Sequence, residues 1–219
     1  MQLTIREPGS AITHFIACLM ALMAASPLMI KAQGNTTNML AMAVFAGSMI
    51  LLYGASTAYH SISRVSDKVL RIFRKIDHMM IFVLIAGSYT PVCLIVLGGR
   101  MGYSLLALVW GTALVGMIVK ACWITCPKWF SSVIYIAMGW LCVFAFIPIV
   151  KALNPAGFGW LLAGGIIYTV GGVIYALKVP LFNAKHKNFG SHEIFHLFVM
   201  GGSFCHFIVM YYFVAAMPV

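Results

Sequence analysis

The chain has 219 residues, 63% of them hydrophobic and 8% charged, with a mean hydropathy of +1.00. That excludes an ordinary soluble domain, in which about 25% of residues are charged. The formal net charge of +10 would suit a nucleic-acid partner, but its placement along the chain argues for a membrane.

An apolar run of about 20 residues crosses a bilayer as a helix. Seven such runs follow one another, at roughly 11–30, 39–60, 77–97, 102–124, 131–150, 157–177 and 193–216. Period-two alternation is absent, so a β-barrel is not expected. The expected fold is an all-α bundle of seven transmembrane helices, a single domain over 1–219 with no soluble part. The first run is too long for the apolar region of a signal peptide and is read as a helix.

Counting connectors alternately from the N-terminus, one side holds 11 basic residues and the other 3. The rich side has Arg6, then Arg64, Lys68, Arg71, Arg74 and Lys75, then Lys120 and Lys128, then Lys178, Lys185 and Lys187. The poor side has Lys31, Arg100 and Lys151. All connectors are short, so positive charge marks the cytoplasm. The N-terminus is expected inside and the C-terminus outside. The basic residues then meet anionic lipid headgroups, and no nucleic-acid site is expected.

Taken in order, Pro8 suits the start of the first helix. His14 reads as a capping or helix-interface histidine. Asn35-Thr36-Thr37 spells a glycosylation sequon, which matters only in a eukaryotic secretory membrane. Span two ends in Ser56-Thr57-Ala58-Tyr59-His60, with Ser56 and His60 one turn apart on one face. Span three opens at Asp77-His78, where a carboxylate suits the helix dipole. The alternative for Asp77 is an ion pair with Arg74 or Arg71. Pro91 invites a kink in span three, and Pro148 lies near the outer end of span five.

The six cysteines are scattered and read as packing residues. Cys122 and Cys126 share a face near the end of span four, where a metal or redox role competes with packing. In span six, Gly164-Gly165 and Gly171-Gly172 form a small-residue stripe for close helix packing.

Span seven opens with Ser191-His192-Glu193-Ile194-Phe195-His196. His192 and His196 stand one turn apart on one helix face, close enough to share a metal ion. Glu193 turns about 100° from that face and is not assigned the base role of a soluble metalloprotease. His206 lies ten residues beyond His196, about 15 Å along the helix, so it cannot join the same ion. It reads as a buried, hydrogen-bonded histidine.

The assumed orientation brings Ser56, His60, Asp77, His192 and His196 to one depth. Catalytic zinc takes three protein ligands and keeps a fourth position open. His60, His192 and His196 supply that count. Asp77 would hold the water or act as base, and Ser56 would stabilise an oxyanion or orient Asp77. The competing reading makes each histidine a hydrogen-bond link between helices.

The pattern Ser56-x-x-x-His60, Asp77, His192-x-x-x-His196 and His206 resembles the haemolysin III branch of the progestin and adipoQ receptor family. Gly87-Ser88-Tyr89-Thr90-Pro91, Ala137-Met138-Gly139-Trp140 and Gly201-Gly202-Ser203-Phe204-Cys205-His206-Phe207 are similar to signatures of that branch. The resemblance spans His14 to Phe207 and extends to alkaline ceramidases in a wider membrane-hydrolase superfamily. It implies seven helices, an inside N-terminus and a bacterial plasma membrane location. It also implies zinc on the histidines matching His60, His192 and His196, with the residue matching Asp77 touching the zinc-bound water. Bacterial members often carry paired glutamates and an asparagine before the first histidine. Here Glu7 matches one acid and Ser10 stands at the asparagine.

Two functions share these residues. One is a zinc-dependent hydrolase of a lipid amide or ester. The other is a non-enzymatic protein of membrane homeostasis or sensing, with zinc stapling helices two and seven. A pore-forming toxin ranks last, because no polar stripe runs through the spans. A zinc transporter is disfavoured, because the outer half has no second ligand cluster.

Overall fold

A computed structural model describes residues 5–177 and 190–218. Lys178, Lys185 and Lys187, which entered the charge count, lie outside the described residues. The elements are α1 (Pro8–Lys31), α2 (Thr36–Ser61), α3 (Asp67–Pro91), α4 (Gly99–Cys122), α5 (Lys128–Gly139), α6 (Phe146–Ala152), α7 (Pro155–Leu177) and α8 (Ser191–Val209). A π-helical turn, Val92–Leu97, prolongs α3, and another, Met210–Val214, prolongs α8. A 3₁₀ segment, Trp140–Ala145, joins α5 to α6. Among the described residues, seven helical units are long and apolar enough to cross a membrane.

Local chemistry sets the helix starts. Pro8 occupies the first turn of α1, where its missing N–H costs nothing. The Asn35 side chain caps α2 by accepting the Asn38 N–H at 3.1 Å. Asn154 does the same for the start of α7, accepting the Gly157 N–H at 2.7 Å.

Two expectations about α3 and α4 need correction. α3 starts at Asp67, ten residues before the apolar run, because Ser66 caps it and Asp67 meets the dipole in its first turn. Asp77 is therefore an interior residue, and the dipole argument made for it does not hold. α4 stops at Cys122, so Cys126 sits in the following turn. Cys126 is buried while Cys122 is exposed, and the two do not share a helix face. Instead the Cys126 Sγ accepts the Lys120 ammonium at 3.1 Å.

The break in span five falls before Pro148, at Gly139. There the helix loosens to 3₁₀ and frees backbone groups that a membrane interior cannot hydrate. The Tyr89 hydroxyl supplies them. It donates to the Gly139 carbonyl at 2.6 Å and accepts the Cys142 N–H at 2.8 Å. Directly after Pro91 the chain passes into the π-helical turn.

In the bundle, α2 packs between α1 and α3, α7 packs along α8, and α8 returns to α1. The glycines of α7 set the closeness of the α7–α8 pair. A Cβ at Gly171 would come within 2.6 Å of the Phe198 Cβ. Polar and apolar surfaces are inverted relative to a soluble protein. His60 is 1% exposed, whereas Phe144 is 72% exposed. Hydrocarbon is the solvent that such an exterior fits.

Candidate metal centre

His60 closes the last turn of α2, and His192 and His196 open α8. The fold brings these three together as the sequence predicted. One nitrogen from each lies within 4.8 Å of the others. The His60 and His192 Nε2 atoms are 3.4 Å apart. Two nitrogens on a tetrahedral zinc at about 2.0–2.1 Å would be separated by about 3.3–3.4 Å. One edge of the cluster thus already has the spacing of a tetrahedral ion. His60 and His196 are buried and His192 is half-buried, so few waters compete for the nitrogens.

The second nitrogen of each ring decides whether the first can bind. His60 Nδ1 donates to the Glu7 carboxylate. That bond leaves the Nε2 lone pair facing the cluster and raises its basicity, as in carboxylate–histidine–metal arrangements. Glu7 is held beside His60 by its own N–H, which donates to the His60 carbonyl at 3.0 Å. The hydrogen bond from His60 keeps the Glu7 carboxyl below the usual carboxylate range, against the opposing effect of burial. Arg6, 3.3 Å from Glu7, adds to this. His196 Nδ1 lies 3.4 Å from the Thr13 hydroxyl. Thr13 Oγ1 is 3.0 Å from both the Gly9 and the Ser10 carbonyls, so its proton is taken and its oxygen accepts from His196. The network therefore assigns His196 the tautomer with a free Nε2.

The run 192–196 spells His-Glu-x-x-His, the letters of soluble zinc proteases. Glu193 nevertheless has another task. Its Oε2 accepts the Gly190 N–H at 2.8 Å, and its Oε1 accepts the Ser10 hydroxyl at 2.5 Å. It caps α8 and ties α8 to α1, which agrees with its turn away from the histidine face.

Asp77 and Ser56 line one cavity together with His192 and His196. Asp77 is buried, and its Oδ2 is 3.2 Å from His78 Nδ1. Neither Arg74 nor Arg71 is its ion-pair partner among the described residues. Ser56 Oγ is buried with no hydrogen-bond partner, so it does not orient Asp77. An unpaired buried hydroxyl on a cavity wall is free for a ligand. His14 is an interface residue and not a cap. Its ring stacks on His196 at 3.6 Å and meets Tyr53 edge-on at 5.1 Å. His206 is set apart from the cluster, as expected. Its ring nitrogens, however, make no hydrogen bond of good geometry.

Sequence reasoning assigned no role to Glu7, Ser10 or Thr13 and missed the capping role of Glu193. A signal for two of them was present. The chain has only four acidic residues, and three of them, Glu7, Asp77 and Glu193, converge here. Carboxylates at membrane depth are expensive, so each needs a partner or a task.

The donor set fits a metal: three imidazoles, two with their second nitrogen held by an oxygen, in a buried site. The model for haemolysin-III related proteins matches residues 3–207. The chain is 40% identical to Hemolysin-3 of Bacillus cereus, over 94% of this chain and 91% of that protein. It is 38% identical to a Hemolysin-3 homolog of Bacillus subtilis, over 98% of both. It is also 27% identical to an adiponectin receptor protein of Drosophila melanogaster, over 92% of this chain and 49% of that protein. With its seven candidate spans and these relatives, the chain is a multi-pass membrane protein belonging to the haemolysin-III related family, with distant similarity to the adiponectin and progestin-and-adipoQ receptors.

Proposed function

We propose that the protein is a zinc-dependent membrane hydrolase of a lipid amide or ester. One observation carries this reading. A cavity of about 200 Å³, lined mostly by apolar side chains, reaches from the middle of the bundle to the histidine end, where Asp77 and Ser56 stand on its wall. An acyl chain suits the apolar part, and a polar head then meets Asp77, His192 and His196 on the cavity wall. Zinc bound there supplies Lewis acidity and a water whose pKa lies near 7.

The chain's own residues divide the remaining work. Asp77 receives a proton from the attacking water and returns it to the leaving group. Ser56 Oγ, otherwise unpaired, donates to the developing oxyanion. The apolar wall excludes bulk water and so strengthens both interactions. The N-terminus faces the cytoplasm in this reading, as the basic asymmetry directs.

A second reading has its own support. The ligands come from α2 and α8, and the start of α1 is bonded to both through Glu7, Ser10 and Thr13. A metal there would clamp three helices without chemistry, and the protein would serve membrane homeostasis. Asp77→Asn separates the two. It removes the charge and keeps the shape. The hydrolase reading expects folded, metal-loaded protein whose release of fatty acid from membrane lipid falls by roughly 10²–10⁴-fold. Full complementation of a deletion strain by metal-replete Asp77→Asn, with no fatty acid released by the parent protein, would leave the clamp reading standing.

A further inference from the structure

The cavity has a second polar station, on the same helix as the histidine pair. His206 and Tyr168 line it together with His196 and Asp77. The ring of His206 packs so close to α7 that a Cβ at Gly164 would come within 2.4 Å of its Cδ2. Tyr168 meets it edge-on at 5.3 Å. Both ring nitrogens of His206 are buried, and neither makes a hydrogen bond of full geometry; the Leu161 carbonyl is the backbone acceptor that acts on the ring, which leaves at least one nitrogen unsatisfied. Behind Tyr168, Ser203 Oγ accepts the Tyr53 hydroxyl at 2.6 Å and lies 2.7 Å from the Tyr168 hydroxyl. With the Ser203 proton given to Tyr168, the Tyr168 O–H is left to donate into the cavity.

A buried imidazole nitrogen left unsatisfied on a cavity wall is uncommon among buried polar groups, and it marks where a ligand group would be satisfied. The two stations are separated by ten residues of α8, about 15 Å. An extended carbon chain advances about 1.2 Å per bond, taken from three bonds per extended residue, so that span is about twelve bonds.

We propose that His206 and Tyr168 form a second subsite, which takes a hydroxyl or similar oxygen near the twelfth carbon of an acyl chain whose head sits at the three histidines. The inference rests on the reading of the histidine end as the site of a lipid head. It adds the substrate class: long acyl groups oxygenated at mid-chain, selected over plain ones.

The test uses the purified, zinc-loaded full chain in detergent and the displacement of a fluorescent fatty acid. Stearate, 3-hydroxystearate and 12-hydroxystearate are the competitors. The 12-hydroxy acid should bind tighter than stearate by roughly 3–10-fold, the gain from one buried hydrogen bond, and the 3-hydroxy acid should show no such gain. His206→Phe should keep stearate binding and lose the preference. Tyr168→Phe, which removes one hydroxyl and keeps the ring, should reduce the preference and covers the case in which the His206 variant does not fold. Equal binding of the three acids by the parent protein overturns the second subsite, and so does a preference that survives both variants. No binding of any acid, or binding unchanged after zinc is stripped, overturns the lipid-head reading and the subsite with it.

Discussion

Replacing Glu7 tests the least expected part of the site. Glu7 accepts the His60 Nδ1 proton, and the two side chains are 43% and 2% exposed respectively. Hydrogen bonds to a charged group contribute about 1.5–3 kcal/mol, and partial exposure places this one at the low end. Loss of such a partner typically weakens metal affinity by roughly 10–100-fold. Glu7→Ala should therefore cost about 10-fold in zinc affinity. Glu7→Gln keeps an acceptor oxygen and loses the charge, so its cost should be smaller, on the order of 3–5-fold. Neither change removes the Glu7 N–H to His60 carbonyl bond, so the start of α1 stays tied to the end of α2. The assay is zinc competition against a chelator, with purified protein in detergent and thermal unfolding as a control for folding. Arg6→Ala is the companion variant, because Arg6 touches Glu7 at 3.3 Å and no histidine. Zinc affinity within twofold of the parent in Glu7→Ala would refute the orienting role and the tautomer argument built on it.

His60→Ala, His192→Ala and His196→Ala should each lose zinc by elemental analysis, while His206→Ala retains it; retention in all three would reject the ligand set. Glu193→Gln should keep its zinc and, because a Gln oxygen also accepts at this position, most of the α8 cap, without the roughly 10²–10⁴-fold drop in turnover that removing a general base gives. A drop of that size would return Glu193 to the role its motif has in soluble proteases. Reporter fusions should place Val219 outside and a site in the 61–66 connector inside. The reverse arrangement would overturn the orientation drawn from the 11-to-3 basic asymmetry.

The seven spans and the three histidines were legible in the sequence for one physical reason. A bilayer forces each apolar run to cross and fixes its ends at two depths, so residues near the same face must meet at one level. That constraint put His60, 132 residues from His192, at the same level, and in the fold the two nitrogens lie 3.4 Å apart. Helix periodicity did the rest for His192 and His196, and for Ser56 beside His60. Depth does not say which helices are neighbours around the ring. That was decided by packing, with α1 closing between α2 and α8, and it brought Glu7 and Thr13 onto His60 and His196 from 53 and 183 residues away. Nor does hydropathy distinguish a helix that begins at the membrane edge from one that begins ten residues earlier, because a capped amphipathic turn costs little in water. Asp77 was therefore expected at a helix start, and the tertiary structure placed it inside α3, facing His78 and the cavity. The sequence determines what crosses and which polar groups share a level; the packing of the helices decides which of those groups hold one another.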